Sequence, residues 1–316
     1  MFRQAQAKDR ENGQKHDEAF DLLRLGNTLY LQGELSESEK VLNQSLEICR
    51  EIEAKDTCGR ALLLLGNVLT WKGSLDQARE KYQQALTIQN ENGAQSNVEE
   101  IRLSVAELSI VEGQTDAATA LAYSARKLFR NQGPIEEEVW ADAVLARALL
   151  AQGKRQEARN ELESATGLVA KVQNPEIRIK FAIVAASVRA ASAALADKSA
   201  LSRSFEAPLS EAGKYGYVPY EFEARLALGE YEIRSGQVAE GRSRLAALER
   251  DAKAAGFGLL ALQATKVNKL ATSEKLSRQE RIGNREPNAL IGAQKVVFPQ
   301  FQFLGYSGAN SRSCCE

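Results

Sequence analysis

Catalysis needs reactive side chains that can converge, and this chain offers few. His16 is the only histidine and lies in a polar stretch, so neither a Ser-His-Asp nor a Cys-His arrangement can be assembled, and a histidine-based metal site is excluded. The cysteines are Cys49, Cys58, Cys314 and Cys315; their spacing fits neither a zinc knuckle nor a disulfide-dense scaffold, and they read as free thiols. Glu230 and Glu232 are acid-base candidates, but helix neighbours two apart point to different faces. The run Glu136 to Glu138 follows Pro134, where negative charge suits the start of a helix, so capping accounts for it without a metal. No catalytic residue, metal or cofactor is expected. What remains is a set suited to recognition: Asn27, Tyr30, Asn67, Trp71, Glu107, Arg147 and Glu230.

The elements that must position that set are helical. Six prolines in 316 residues, and a composition dominated by Ala, Leu, Glu, Gln, Arg and Lys, favour an all-α class. With 41 Lys+Arg against 42 Asp+Glu there is no basic excess for a sequence-independent grip on nucleic acid. Met1 to Lys15 carries no apolar run of a secretory signal, and no stretch approaches the roughly 20 apolar residues of a membrane span. A cytoplasmic chain is expected.

Internal repetition is the dominant signal. Gly33, Gly73, Gly113 and Gly153 recur every 40 residues, and Gly236 continues the series if one repeat carries about three extra residues. Gly13, Glu53, Gly93 and Gly133 keep the same period. Between these corners each unit reads as a helix, a tight turn and a returning helix. In the second unit the helices span roughly residues 57–72 and 75–89, with Leu62, Leu65 and Leu69 on one stripe and Ala78, Tyr82, Ala85 and Leu86 on the other. Gly66 is expected to cross Ala78 and Ala85 at close range.

The segment Leu62-x-x-Leu65-Gly66-x-x-Leu69 followed by Ala78-x-x-x-Tyr82-x-x-Ala85 resembles the tetratricopeptide repeat, with Leu62 where that family often has Trp. The first unit carries Leu22-x-x-Leu25-Gly26-x-x-Leu29 with Ser38, Leu42 and Ser45. Later units are looser: Ala106, Ala118 and Ala125; Ala146, Ala158, Leu162 and Ala165; Gly229, Gly241 and Leu245. The fifth, around Val184 to Leu209, is the weakest. The period resembles the long-repeat variety of bacterial signalling arrays attached to serine/threonine kinases or transcriptional regulators. The resemblance implies an all-α, right-handed superhelical solenoid of about six helix-turn-helix repeats. Its units lie near 14–53, 54–93, 94–133, 134–173, 174–216 and 217–256. Residues 1–13 would end a preceding repeat or form an N-terminal helix, 257–272 would be a capping helix, and 273–316 a poorly ordered tail.

In such a solenoid the first helix of every unit lines a concave groove, and the seven recognition residues fall on the flank beside the core stripe. Asn27 and Asn67 follow their repeat glycines, where an amide serves an extended peptide backbone or is simply solvated. Trp71 and Trp140 fit a buttressing role better than a ligand contact. The resemblance also implies basic groove residues where a carboxylate is clamped. Arg24 and Arg60 are near, but Leu23, Leu63 and Leu64 make an apolar or mixed peptide the better expectation. In the tail, Phe298, Phe301, Phe303 and Tyr306 read either as unstructured or as a docking peptide. The function expected is a protein- or peptide-binding scaffold or sensor with no enzymatic activity. The alternative is the C-terminal regulatory region of a larger signalling protein.

Overall fold

The computed structural model describes residues 2–192 and 198–283; the aromatic tail residues Phe298 to Tyr306 and Cys314 and Cys315 lie outside them. Among the described residues there are thirteen helices and no strand. They are α1 (Phe2–Leu31), α2 (Leu35–Glu51), α3 (Lys55–Lys72), α4 (Leu75–Glu91), α5 (Gln95–Val111), α6 (Thr115–Gln132), α7 (Ile135–Ala151), α8 (Arg155–Val169), α9 (Pro175–Ser192), α10 (Lys198–Tyr215), α11 (Val218–Arg234), α12 (Val238–Ala254) and α13 (Gly258–Gly283). Each odd helix pairs with the even helix that follows, which gives six antiparallel hairpins and a final α13. That last helix runs on through Gly283, past the end expected at residue 272.

The expected corner series is where the chain reverses. At Gly73 the backbone is left-handed, φ 87°, and its N–H closes the end of α3 on the Thr70 carbonyl. A side chain there would be strained. Gly33, Gly113, Gly153 and Gly236 share positive φ. The second series holds only in part. Glu53 (φ 57°) and Gly93 (φ 71°) are left-handed corners, but α1 runs unbroken through Gly13, and Gly133 is extended, φ −101°, because Pro134 already forces a stop.

Within the second hairpin the stripes are as read. Leu62, Leu65, Leu69, Ala78, Tyr82 and Ala85 are all buried. The partner of Gly66 is different from the one expected. A Cβ there would land on the ring of Tyr82, so the glycine makes room for an aromatic ring while Ala78 and Ala85 fill in beside it. In the first hairpin Ser38 and Ser45 hydroxyls donate across the pair to the Gly26 and Ala19 carbonyls, both at 2.7 Å. The Leu22, Leu25 and Leu29 stripe does not repeat its counterpart's burial. Leu25 is 47% exposed where Leu65 is 1% exposed, because α3 lies against the preceding hairpin and α1 has none among the described residues to cover it.

Cys49 and Cys58 are not free thiols. They form a disulfide, with Cα atoms 5.5 Å apart, between the end of α2 and the start of α3. The left-handed corner at Glu53 reverses the chain between them, and that reversal is what nine residues of separation conceal.

The hairpins wind tightly. Consecutive odd helices touch one another, and α11 and α13 also touch α1 and α3, five hairpins back in each case. The main core accordingly mixes the two ends: Leu62, Leu65 and Leu69 share one cluster with Phe222, Phe257, Leu260 and Ala264. A second cluster serves the middle hairpins. At the seam Gly258 lies so close to α3 that a Cβ would stand 2.5 Å from the Lys72 carbonyl oxygen, and Gly33 faces Val218.

Candidate functional site

The odd helices present their inner faces to a narrow central bore. Spacings of three, four and seven residues keep side chains on one helical face, and this places Trp140 with Arg147, Glu176 with Lys180, and Tyr220 with Glu223 and Glu230 along that bore.

Three sets of contacts fill it. Near the seam the Trp71 indole N–H donates to the Tyr30 hydroxyl (2.8 Å), and the Trp71 ring lies 6.3 Å from that of Phe257. Around the middle, the Lys180 ammonium stands 4.6 Å from the Trp140 ring centroid and 5.4 Å from that of Tyr220. It pairs with Glu176 at 3.1 Å, while the Tyr220 hydroxyl donates to that same carboxylate at 2.6 Å and the Trp140 N–H donates to Glu107 at 3.1 Å. Across the bore Arg147 donates to Glu223 at 2.7 Å, a bond spanning 76 residues of sequence.

Desolvation sets the protonation of these groups. Burial pushes the Tyr30 hydroxyl up to about 12 and Tyr220 well above its ordinary value, so both stay neutral, Tyr30 accepting from Trp71 and Tyr220 donating to Glu176. Burial pulls the Lys180 ammonium down, but Glu176 and Glu107 outweigh it and hold the group above its ordinary value. Burial raises the Glu230 carboxyl against the opposing pull of Arg234 and Arg147. The space left beside Glu107, Trp140, Arg147, Lys180 and Glu223 is only about 10 Å³, room for one water at most.

A family model described as the MalT-like TPR region matches residues 18–257. This chain belongs to that family. The TPR array is similar in fold to two solved structures, each at 13% identity. One is the apo form of RapI (TM-score 0.58, covering 80% of this chain and 85% of that one). The other is a Rap protein complexed with Competence and Sporulation Factor (TM-score 0.54, covering 84% and 88%). No curated protein matches the sequence.

The TPR fold brings most of the recognition residues to the bore and spends several of them on itself. Tyr30 is only 5% exposed and bonded to Trp71. Trp71 therefore fastens the seam, through Tyr30 and Phe257, where a buttress of its own corner was expected. Asn67 accepts from the Tyr82 hydroxyl of its own hairpin (2.8 Å), and Asn27 is half-buried on α1. Glu107 holds Trp140, Arg147 holds Glu223, and Glu230 makes no hydrogen bond or ion pair among the described residues. Glu232 points elsewhere and takes both ends of the Arg244 guanidinium at 2.8 and 2.9 Å. The acidic run does lie in the first turn of α7, but no side chain caps that helix: Glu138 pairs with Arg130, Glu136 accepts from the Gln173 N–H, and one Glu137 oxygen is buried without a donor. Sequence reasoning missed Glu176, Lys180, Tyr220 and Glu223. The one available signal was the i, i+4 pair Glu176 and Lys180, on the helix whose repeat pattern is weakest. Among the described residues no group of His, Cys, Asp and Glu could hold a metal, and no helix is long and apolar enough to cross a membrane.

Proposed function

We propose that this TPR array is a protein- or peptide-binding module, a scaffold or sensor without catalysis of its own, whose ligand wall is the inner face of the superhelix. The observation that carries this reading is convergence. Aromatic, amide and charged side chains from six helices, α1, α3, α5, α7, α9 and α11, meet at one bore. Outward faces instead carry local ion pairs such as Arg159 with Glu163 and Lys253 with Glu249, which solvate a surface and read nothing. The Rap structure solved with Competence and Sporulation Factor has the same fold and supports a bound ligand for this one.

The test is affinity capture followed by mass spectrometry, comparing the native chain with a Glu107→Ala/Arg147→Ala variant whose circular dichroism melt shows it folded. A partner held by the native chain and released by the variant is expected. A partner held equally by both would place the binding surface outside the bore.

A further inference from the structure

The bore is full, yet its charges do not balance. Glu107, Glu176, Glu223 and Glu230 face it, and the cations within ion-pair distance of any of them are Lys180, on Glu176, and Arg147, on Glu223. Glu107 accepts only a neutral indole N–H, and Glu230 has no such partner among the described residues. Arg234, on the turn after Glu230, is exposed. Glu107 and Glu230 thus have no cation at ion-pair distance in a poorly solvated channel and feel Lys180, Arg147 and Arg234 only from farther off, an arrangement that a further positive group brought against them would stabilise.

The acids alone would make no site. The second observation is that a cation is already seated there. The Lys180 ammonium has the Trp140 ring on one side, the Tyr220 ring on another and the Glu176 carboxylate on a third. Each wall is itself fixed: Trp140 by its bond to Glu107, Tyr220 by its bond to Glu176. Rings held with their negative faces toward one point, beside a carboxylate, form a receptor for an ammonium or guanidinium. Lys180 reaches it on a flexible unbranched stem, and an ammonium brought in by another chain would meet the same walls.

We infer that the ligand of this bore is a basic peptide segment, one of whose Lys or Arg side chains takes the Trp140–Tyr220–Glu176 seat from Lys180 while others face Glu107 and Glu230. This deepens, and rests on, the reading of the bore as the ligand wall. It replaces the apolar or mixed peptide expected from Leu23, Leu63 and Leu64. Leu23 is 3% exposed and the other two pack against the main core, so none is offered to a ligand. With about 10 Å³ free, the peptide enters as the superhelix loosens. The seam where α11 and α13 meet α1 and α3 is the contact between hairpins distant in sequence that must give way.

Two measurements on the full chain test it. In the first, Lys180→Ala is melted with n-propylammonium, which has the shape and charge of the atoms removed, and with 1-propanol, which has the shape without the charge. A saturable rise in Tm with the amine and none with the alcohol is expected; equal responses, or no response, overturn the inference. In the second, a synthetic hexapeptide library with Lys, Arg, Leu or Glu fixed at each position is titrated against the native chain, Lys180→Ala and Glu230→Gln. Basic peptides should be selected, bind about tenfold tighter to Lys180→Ala and about tenfold weaker to Glu230→Gln. Binders that are sensitive to both variants yet show no preference for Lys or Arg overturn the cationic ligand and leave the bore as the ligand wall. Binders indifferent to both variants, or no binders, overturn the two readings together.

Discussion

The second and fifth hairpins of this array do opposite things with the same architecture. In α3 and α4 nearly every repeat position is spent on packing: Leu62, Leu65 and Leu69 on one side, Ala78, Tyr82 and Ala85 on the other, and the inward-facing Asn67 tied to Tyr82. In α9 and α10 the repeat pattern is faint, Pro208 sits inside a helix, and α9 contributes the ion pair Glu176 and Lys180 to the bore. A strong repeat signature reports a hairpin that satisfies itself. The departures from it mark side chains released for other work.

That contrast can be broken or sharpened. The largest effect is expected at Gly66→Leu, which drives a side chain into the Tyr82 ring and should cost about 3 kcal/mol by denaturant titration. Next comes Asp142, on α7 in the middle of the array. It is fully buried, its oxygens find no hydrogen-bond donor, and Arg126 and Arg130 approach only to 3.8 and 3.9 Å. Burial, opposed by those arginines, raises its carboxyl to about 7 from an ordinary 3.8. The folded state therefore binds a proton that the unfolded chain has lost between pH 4 and 7, and stability falls as pH rises through that window. Asp142→Asn should flatten the profile and make the protein more stable at pH 8 by on the order of 2 kcal/mol. A melt series from pH 4 to 8 reads both. Reducing Cys49–Cys58 opens a loop of nine residues' separation and should lower stability by about 2 kcal/mol, measured as a Tm difference with and without dithiothreitol. The smallest effect lies in the fifth hairpin. Gly213 in α10 has nothing within 4 Å of where a Cβ would stand, so Gly213→Ala should raise stability by about 0.5–1 kcal/mol. A loss there would mean that α9 and α10 pack as tightly as α3 and α4.

What could be read in the sequence was whatever depends on local rules. The corner at Gly73, the stripe of Leu62, Leu65 and Leu69, and the placement of Glu136 to Glu138 in a first helical turn each follow from a few neighbouring residues. Leu25 misled because burial in an array depends on the hairpin before it, and the residue type is the same with or without one. The cysteine pair was hidden by a left-handed glutamate, Glu53, at a place where glycine would have announced the turn. Closure of the superhelix comes from small rotations summed over five hairpins, and the meeting of Arg147 with Glu223, two hairpins apart, from two of those same steps; no single window of sequence carries either sum.

The seam has a consequence for how the molecule comes apart. An open array frays from its ends, each terminal unit being held by one neighbour only. Here Gly258 against Lys72 and Val218 against Gly33 give α1, α3, α11 and α13 partners at both ends of the chain, so the thermodynamic problem becomes that of a ring. Amide protons of α3 and α11 should exchange as slowly as those of the middle helices, and urea should unfold the whole array in one step.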